Sequence, residues 1–164
     1  MSLFIDVISG DHLFSDDFPI KEVDDIVYEV DCKFIEVERA RDVDIDANPS
    51  AEEEDDTIAK VNNVVHAFSL QGITFDKKTY RDYISRYIQR IKNHLEETDP
   101  DRAEAFERGA WQYGNKILSH FSSFDFYTGP SFHADGMVAL LNYREDGDTP
   151  FFTFWKDGLQ VADR

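Results

Sequence analysis

Cysteine is nearly absent from this chain, and that alone removes several kinds of chemistry. Cys32 is the only one in 164 residues, so neither an internal disulfide nor a CxxC zinc site can be built. A lone thiol also suits a reducing compartment. Basic residues are scarce: 17 Lys and Arg stand against 34 Asp and Glu, for a formal net charge of −17. A field of that sign repels phosphates and anionic lipid, which argues against nucleic-acid binding and favours basic partners. No apolar run approaches the roughly 20 residues that span a bilayer. The opening MSLFIDVISGDHLF lacks the basic and apolar regions of a secretory leader. Catalytic signatures are missing as well. The five histidines form no HExxH, and there is no GxSxG, P-loop or GxGxxG. These absences predict a cytoplasmic, non-enzymatic protein with no catalytic residues, no membrane span and no required cofactor.

What the chain does have is apolar material. Hydrophobic residues make up 41% and include 14 Phe and 7 Tyr, enough for one core in a single domain over 1–164. Short strands are predicted in the first forty residues, at Glu22–Glu29 and again at Cys32–Val37 after a tight turn, with Pro19 at a segment edge. Strand-like sequence returns at Thr57–Ser69. Tyr80, Ile84, Tyr87, Ile88, Ile91 and Leu95 recur at helical spacing and make one apolar stripe. Asp99-Pro100 then reads as an N-cap followed by proline at the first helical position. Phe106, Ala110, Tyr113, Ile117 and Phe121 share a face of the second helix. The short connection makes the pair an antiparallel hairpin, within 76–122. Strands follow at Phe124–Tyr127, Gly136–Tyr143 and Thr149–Trp155. Both faces of the middle one are apolar, as in a central strand. The fold class is α+β, a mostly antiparallel β core with an inserted helical hairpin.

Between these elements, residues 41–57 change character. Eight of the fifteen residues from Asp42 to Asp56 are acidic and none is basic, which predicts a flexible loop. Asp42, Asp44, Asp46 and Glu53 fall at EF-hand positions 1, 3, 5 and 12, with Asn48 as a further oxygen ligand. Ala47 replaces the turn glycine and no helix precedes, so only weak calcium binding is expected. Ser50, ahead of Glu52 and Glu53, is a candidate site for an acidophilic kinase.

The segment Asp135–Pro150 (DGMVALLNYREDGDTP), with Phe154–Leu159 (FWKDGL), resembles the C-terminal signature of translationally controlled tumour proteins. Asn48–Glu52 (NPSAE) resembles the signature in that family's loop. Asp6–Ser9, Phe14–Asp16 and Lys78–Leu95 are similar to its start and its basic first helix. The resemblance covers about residues 1 to 160. It implies a β-tent core, a zinc-free relative of a GTPase exchange or chaperone fold. It also implies a cytosolic, multi-partner role in growth and stress response, with tubulin, translation elongation factors, anti-apoptotic proteins or a Ras-like small GTPase as partners. The sequence departs from the family pattern at His12, where a glutamate tied to the GTPase role is usual. It departs again at Pro130, where a glutamate is usual, and at the end, which lacks the frequent terminal cysteine.

The most informative feature is the first long helix. Lys77, Lys78, Arg81, Arg86, Arg90 and Lys92 place six of seventeen cations in sixteen residues. At 100° per residue, Lys78, Arg81 and Lys92 lie on one flank of the apolar stripe, with Arg86 and Arg90 toward the back and the other flank. That is a basic surface on an acidic body, suited to acidic tails such as those of tubulin. The alternative is exchange or chaperone action on a small GTPase through the groove between hairpin and sheet, with His12 as the discriminating position.

Overall fold

The computed structural model describes residues 1–38 and 58–163. Its strands are β1 (Ser2–Asp6), β2 (His12–Ser15), β3 (Ile20–Val23), β4 (Val27–Asp31), β5 (Phe34–Glu38), β6 (Ile58–Asn62), β7 (Gln71–Ile73), β8 (Asp125–Thr128), β9 (Ala139–Tyr143), β10 (Pro150–Trp155) and β11 (Leu159–Asp163). The helices are α1 (Asn63–Phe68), α2 (Lys77–Thr98) and α3 (Pro100–Ser119). All pairings are antiparallel: a six-stranded sheet in the order β3-β4-β10-β9-β8-β7, a three-stranded sheet β11-β1-β2, and the ribbon β5-β6. The expected α+β class and helical hairpin are both present.

Period-2 alternation along β10 explains the layers. Phe152 and Phe154 point to one side, where Phe14 stacks on Phe154 at 4.3 Å and Phe4 on Phe14 at 4.4 Å. The three-stranded sheet covers that side. Trp155 points the other way, toward Tyr87 of α2 and Tyr113 of α3. The hairpin covers this face. Its stripe is buried as the spacing predicts, with Tyr80, Ile84, Tyr87, Ile88, Ile91 and Leu95 all inside. β7 and β8, which flank the hairpin in sequence, pair with each other, so the insertion leaves the sheet uninterrupted. β9 lies between β10 and β8, and Ala139, Leu140 and Leu141 are buried, the central position that its two apolar faces predict.

Several local expectations are corrected. Glu22–Glu29 is not one strand. Asp24 and Asp25 take φ of 56° and 59°, and the Ile26 N–H donates to the Val23 carbonyl at 3.1 Å. This is a tight turn joining β3 to β4. Thr57–Ser69 holds a strand only to Asn62. There the Asn62 side chain accepts from the amides of Val64 and Val65 and starts α1. β-branched residues gave this stretch its strand character, and a side-chain cap overrides that propensity. Cys32 lies between β4 and β5 rather than within a strand, though it is buried as expected. Asp99 sits at the N-cap position of α3 without a side-chain capping bond. β11, half polar and mostly exposed, has too little apolar alternation to mark it as a strand in the sequence.

Candidate docking face on the helical hairpin

α2 begins where the Asp76 carboxylate accepts the Thr79 amide at 2.7 Å; that bond holds the Asp76 carboxyl below its ordinary range. Beyond this cap the helix is charged against its own dipole. Its first turn holds no acid and its last turn no base. Lys77 and Lys78 stand at the positive N-terminal end and Glu96 and Glu97 at the negative C-terminal end, the reverse of the stabilising arrangement.

The predicted cations do not form one cluster. Lys78, Arg81 and Arg86 are exposed and make no ion pair within 4 Å among the described residues. Arg90 reaches Asp135 at 3.4 Å with both side chains about half exposed. Lys92 is turned toward α3 and pairs with Glu107 at 2.9 Å, a bond that raises its pKa. Arg86 and Arg90 line a shared pocket of about 570 Å³ on the outer face of the hairpin, together with Gln89, Asn93, Glu107 and Trp111. Nothing in the sequence singles out Trp111. It lies one residue past the core face marked by Phe106 and Ala110, and helical spacing alone gives such a flanking position no role.

His12 opens β2 and is exposed, opposite Ile5 at a shift in register. It lines neither the notch of Arg86 and Arg90 nor the groove between α3 and the β3–β4 turn, a 480 Å³ pocket lined by Asp24, Asp25, Arg102, Arg108 and Tyr113 among others. Asp11, beside it in the chain, has a structural partner instead. The Asp11 carboxylate accepts the Ser131 hydroxyl at 2.8 Å. Asp6, 2% exposed, accepts the Met137 amide at 2.8 Å and the Ser9 hydroxyl at 2.8 Å. Tyr83 of α2 donates to the Gly136 carbonyl at 2.6 Å and accepts the Val138 amide at 3.1 Å. The 129–138 loop is thus held from both sides, and within it Pro130 follows Gly129 in a turn that leaves Phe132 exposed at φ 55°.

The calcium candidates Asp42, Asp44, Asp46, Asn48 and Glu53, and the modification candidate Ser50, lie outside the described residues. Among the described residues, no group of three or more His, Cys, Asp or Glu could hold a metal ion. Burial pushes the Cys32 thiol up to about 11, which suits a packed side chain rather than a nucleophile. No helix among the described residues is long and apolar enough to cross a membrane.

Comparison with known proteins gives one consistent result. The family model described as "Translationally controlled tumour protein" matches residues 1–160. A protein of Yarrowia lipolytica named as a translationally-controlled tumor protein homolog is 54% identical over 164 residues, covering 98% of both chains. Its Saccharomyces cerevisiae counterpart is 45% identical over 163 residues, covering 97% of both. Among solved structures, the translationally controlled tumor-associated protein of Schizosaccharomyces pombe superposes with a TM-score of 0.88 at 49% identity over 100% of both chains. That of Caenorhabditis elegans gives 0.73 at 25% identity, covering 100% of this chain and 99% of the other.

Proposed function

The chain belongs to the translationally controlled tumour protein family, and from that premise we propose a non-enzymatic, multi-partner binding protein whose basic α2 face docks acidic protein segments, tubulin tails among them. One observation carries this reading. Lys78, Arg81 and Arg86 stand exposed without ion pairs among the described residues, at positions where Lys78 works against the helix dipole. The dipole disfavours a cation only at Lys78, in the first turn, and Arg81 and Arg86 are exposed with no acid holding them among the described residues, so these charges are open to an acidic segment. On a body of net charge −17 they form a local inversion of sign. Such an inversion selects acidic segments presented on a protrusion, because a broad anionic surface meets repulsion from the rest of the molecule.

Co-sedimentation with microtubules tests the proposal. Wild-type protein pellets with intact microtubules at low salt and less at moderate salt, and Arg86→Glu/Arg90→Glu pellets weakly at both. Microtubules stripped of their acidic tails by limited proteolysis release the wild type. Equal pelleting of the wild type and the double variant would remove the α2 face from the reading.

A further inference from the structure

A basic face alone does not account for the aromatic ring that lines a notch together with its arginines. Trp111 of α3 is half-buried, packed on the core along one side, and it lines the same notch as Arg86 and Arg90. The other tryptophan, Trp155, is fully buried. We propose that this notch recognises a peptide segment in which an apolar or aromatic side chain is flanked by carboxylates. The side chain lies against Trp111, and the carboxylates reach Arg86 and Arg90. This inference rests on the docking reading of α2 and adds to it the apolar element of the partner.

The charges in the notch are available for such a partner. Arg86 has no ion pair among the described residues, and the only one Arg90 makes is the long contact with Asp135, 3.4 Å between side chains 52% and 42% exposed. An exposed pair of that kind is weak, and a carboxylate that engages the guanidinium bidentately replaces it at little cost. Among the described residues the one acid lining the notch, Glu107, is already bound by Lys92 at 2.9 Å. The Gln89 and Asn93 amides bond to each other at 3.0 Å and keep further donors and acceptors for a peptide backbone.

Carboxylates alone would meet these arginines in open water, where ion pairs contribute little. An apolar side chain seated on Trp111 excludes that water and strengthens the flanking pairs. Trp and Arg are also the residue types that dominate binding energy at protein interfaces. Nucleic acid and anionic membranes present extended negative surfaces to a body of net charge −17, whereas a short peptide engages the notch by itself.

The probes are two capped peptides, Glu-Glu-Phe-Glu-Glu and Glu-Glu-Ala-Glu-Glu, titrated into the full-length ¹⁵N-labelled protein. The chain has two indole N–H signals, and a Trp111→Phe sample assigns them. The phenylalanine peptide is expected to shift the Trp111 signal, leave Trp155 unmoved, and bind roughly tenfold tighter than the alanine peptide. In Trp111→Ala both peptides bind at the level of the alanine peptide. Equal affinity of the two peptides for the wild type overturns the inference, as does an unmoved Trp111 signal or preferential binding to phosphatidylserine vesicles. If the two peptides bind equally, Arg86→Glu/Arg90→Glu separates the two levels. Loss of both peptides retains α2 as a docking face without an apolar seat, and unchanged binding removes the docking face as well.

Discussion

Arg102 of α3 grips Asp157, in the short turn after β10, through two parallel bonds: Nε to Oδ1 at 2.9 Å and Nη2 to Oδ2 at 2.8 Å. The same guanidinium reaches the Asp25 carboxylate in the β3–β4 turn through Nη1 at 2.9 Å and the Asp25 carbonyl through Nη2. One side chain therefore ties the hairpin both to the β3–β4 turn and to the turn that leads from β10 into β11 of the three-stranded sheet. The Asp157 side chain is only 7% exposed, so removing its partner leaves a carboxylate stranded away from water. Arg102→Met is expected to cost about 2–3 kcal/mol in urea unfolding. Arg102→Lys recovers part of that, because an ammonium keeps the charge and loses the fork. A cost under about 0.5 kcal/mol for Arg102→Met, the range of ordinary surface changes, would show that the clamp is ornamental.

The reversed charges of α2 give stability and binding opposite preferences. Lys78→Gln takes the cation out of the first helical turn, where the dipole disfavours it by about 0.3–1 kcal/mol, and adds no charge beside Asp76, whose exposed attraction to Lys78 is weak. The variant is expected to melt higher than the wild type while binding microtubules more weakly. A variant that loses stability and binding together would point to disrupted structure, and one that keeps full binding would exclude Lys78 from the docking face.

Gly109 of α3 packs directly on Ile26. A Cβ at this position would meet Ile26 Cγ1 at 2.7 Å, inside any normal contact. Gly109→Ala gains about 1 kcal/mol of helix propensity but overpacks the contact by about 1–3 kcal/mol, so a net loss is expected. Shortening Ile26 to valine removes the outer of the two clashing carbons, Cδ1, and relieves part of the overlap. In a thermal double-mutant cycle, Gly109→Ala/Ile26→Val should be more stable than the sum of its single changes predicts. Strict additivity would show that the two residues do not meet.

Cys32 provides a readout of pH and of opening. Its folded pKa of about 11 lies above the ordinary value of about 8.5, and burial is the main cause. The folded state holds the thiol proton more tightly. The stability this contributes is whole below pH ~8.5 and is lost as pH rises toward ~11. At pH ~8 the native thiolate is scarce, and alkylation of the folded protein should run at least ~100-fold slower than in denaturing urea. Comparable rates in both conditions would mean that the site opens readily or that the thiol is exposed.

Much of the architecture is legible in the sequence. The α2 stripe is carried by six residues at helical spacing, and a 22-residue helix averages out local ambiguity. β9 announced its central place because both of its faces are apolar. Short segments were harder to read. Val64 and Val65 favour a strand by propensity, and only the Asn62 side-chain cap makes α1 a helix. β11 has so little apolar alternation that its pairing with β1, Ser2 opposite Asp163, has no local signal.

Charge count and periodicity are properties of the linear chain, so the sign of the molecule, the hairpin, the apolar faces and the run of cations along α2 are all written in it. Its signature segments also carried the family resemblance. Packing between elements sets which cations remain available. Lys92 is taken by Glu107, a residue fifteen positions away on the neighbouring helix, and Arg90 is touched by Asp135 from a distant loop. Packing also sets Trp111 beside Arg86 and Arg90. Residues on two helices become neighbours only when the hairpin packs, and no periodicity within either helix encodes the distance between them.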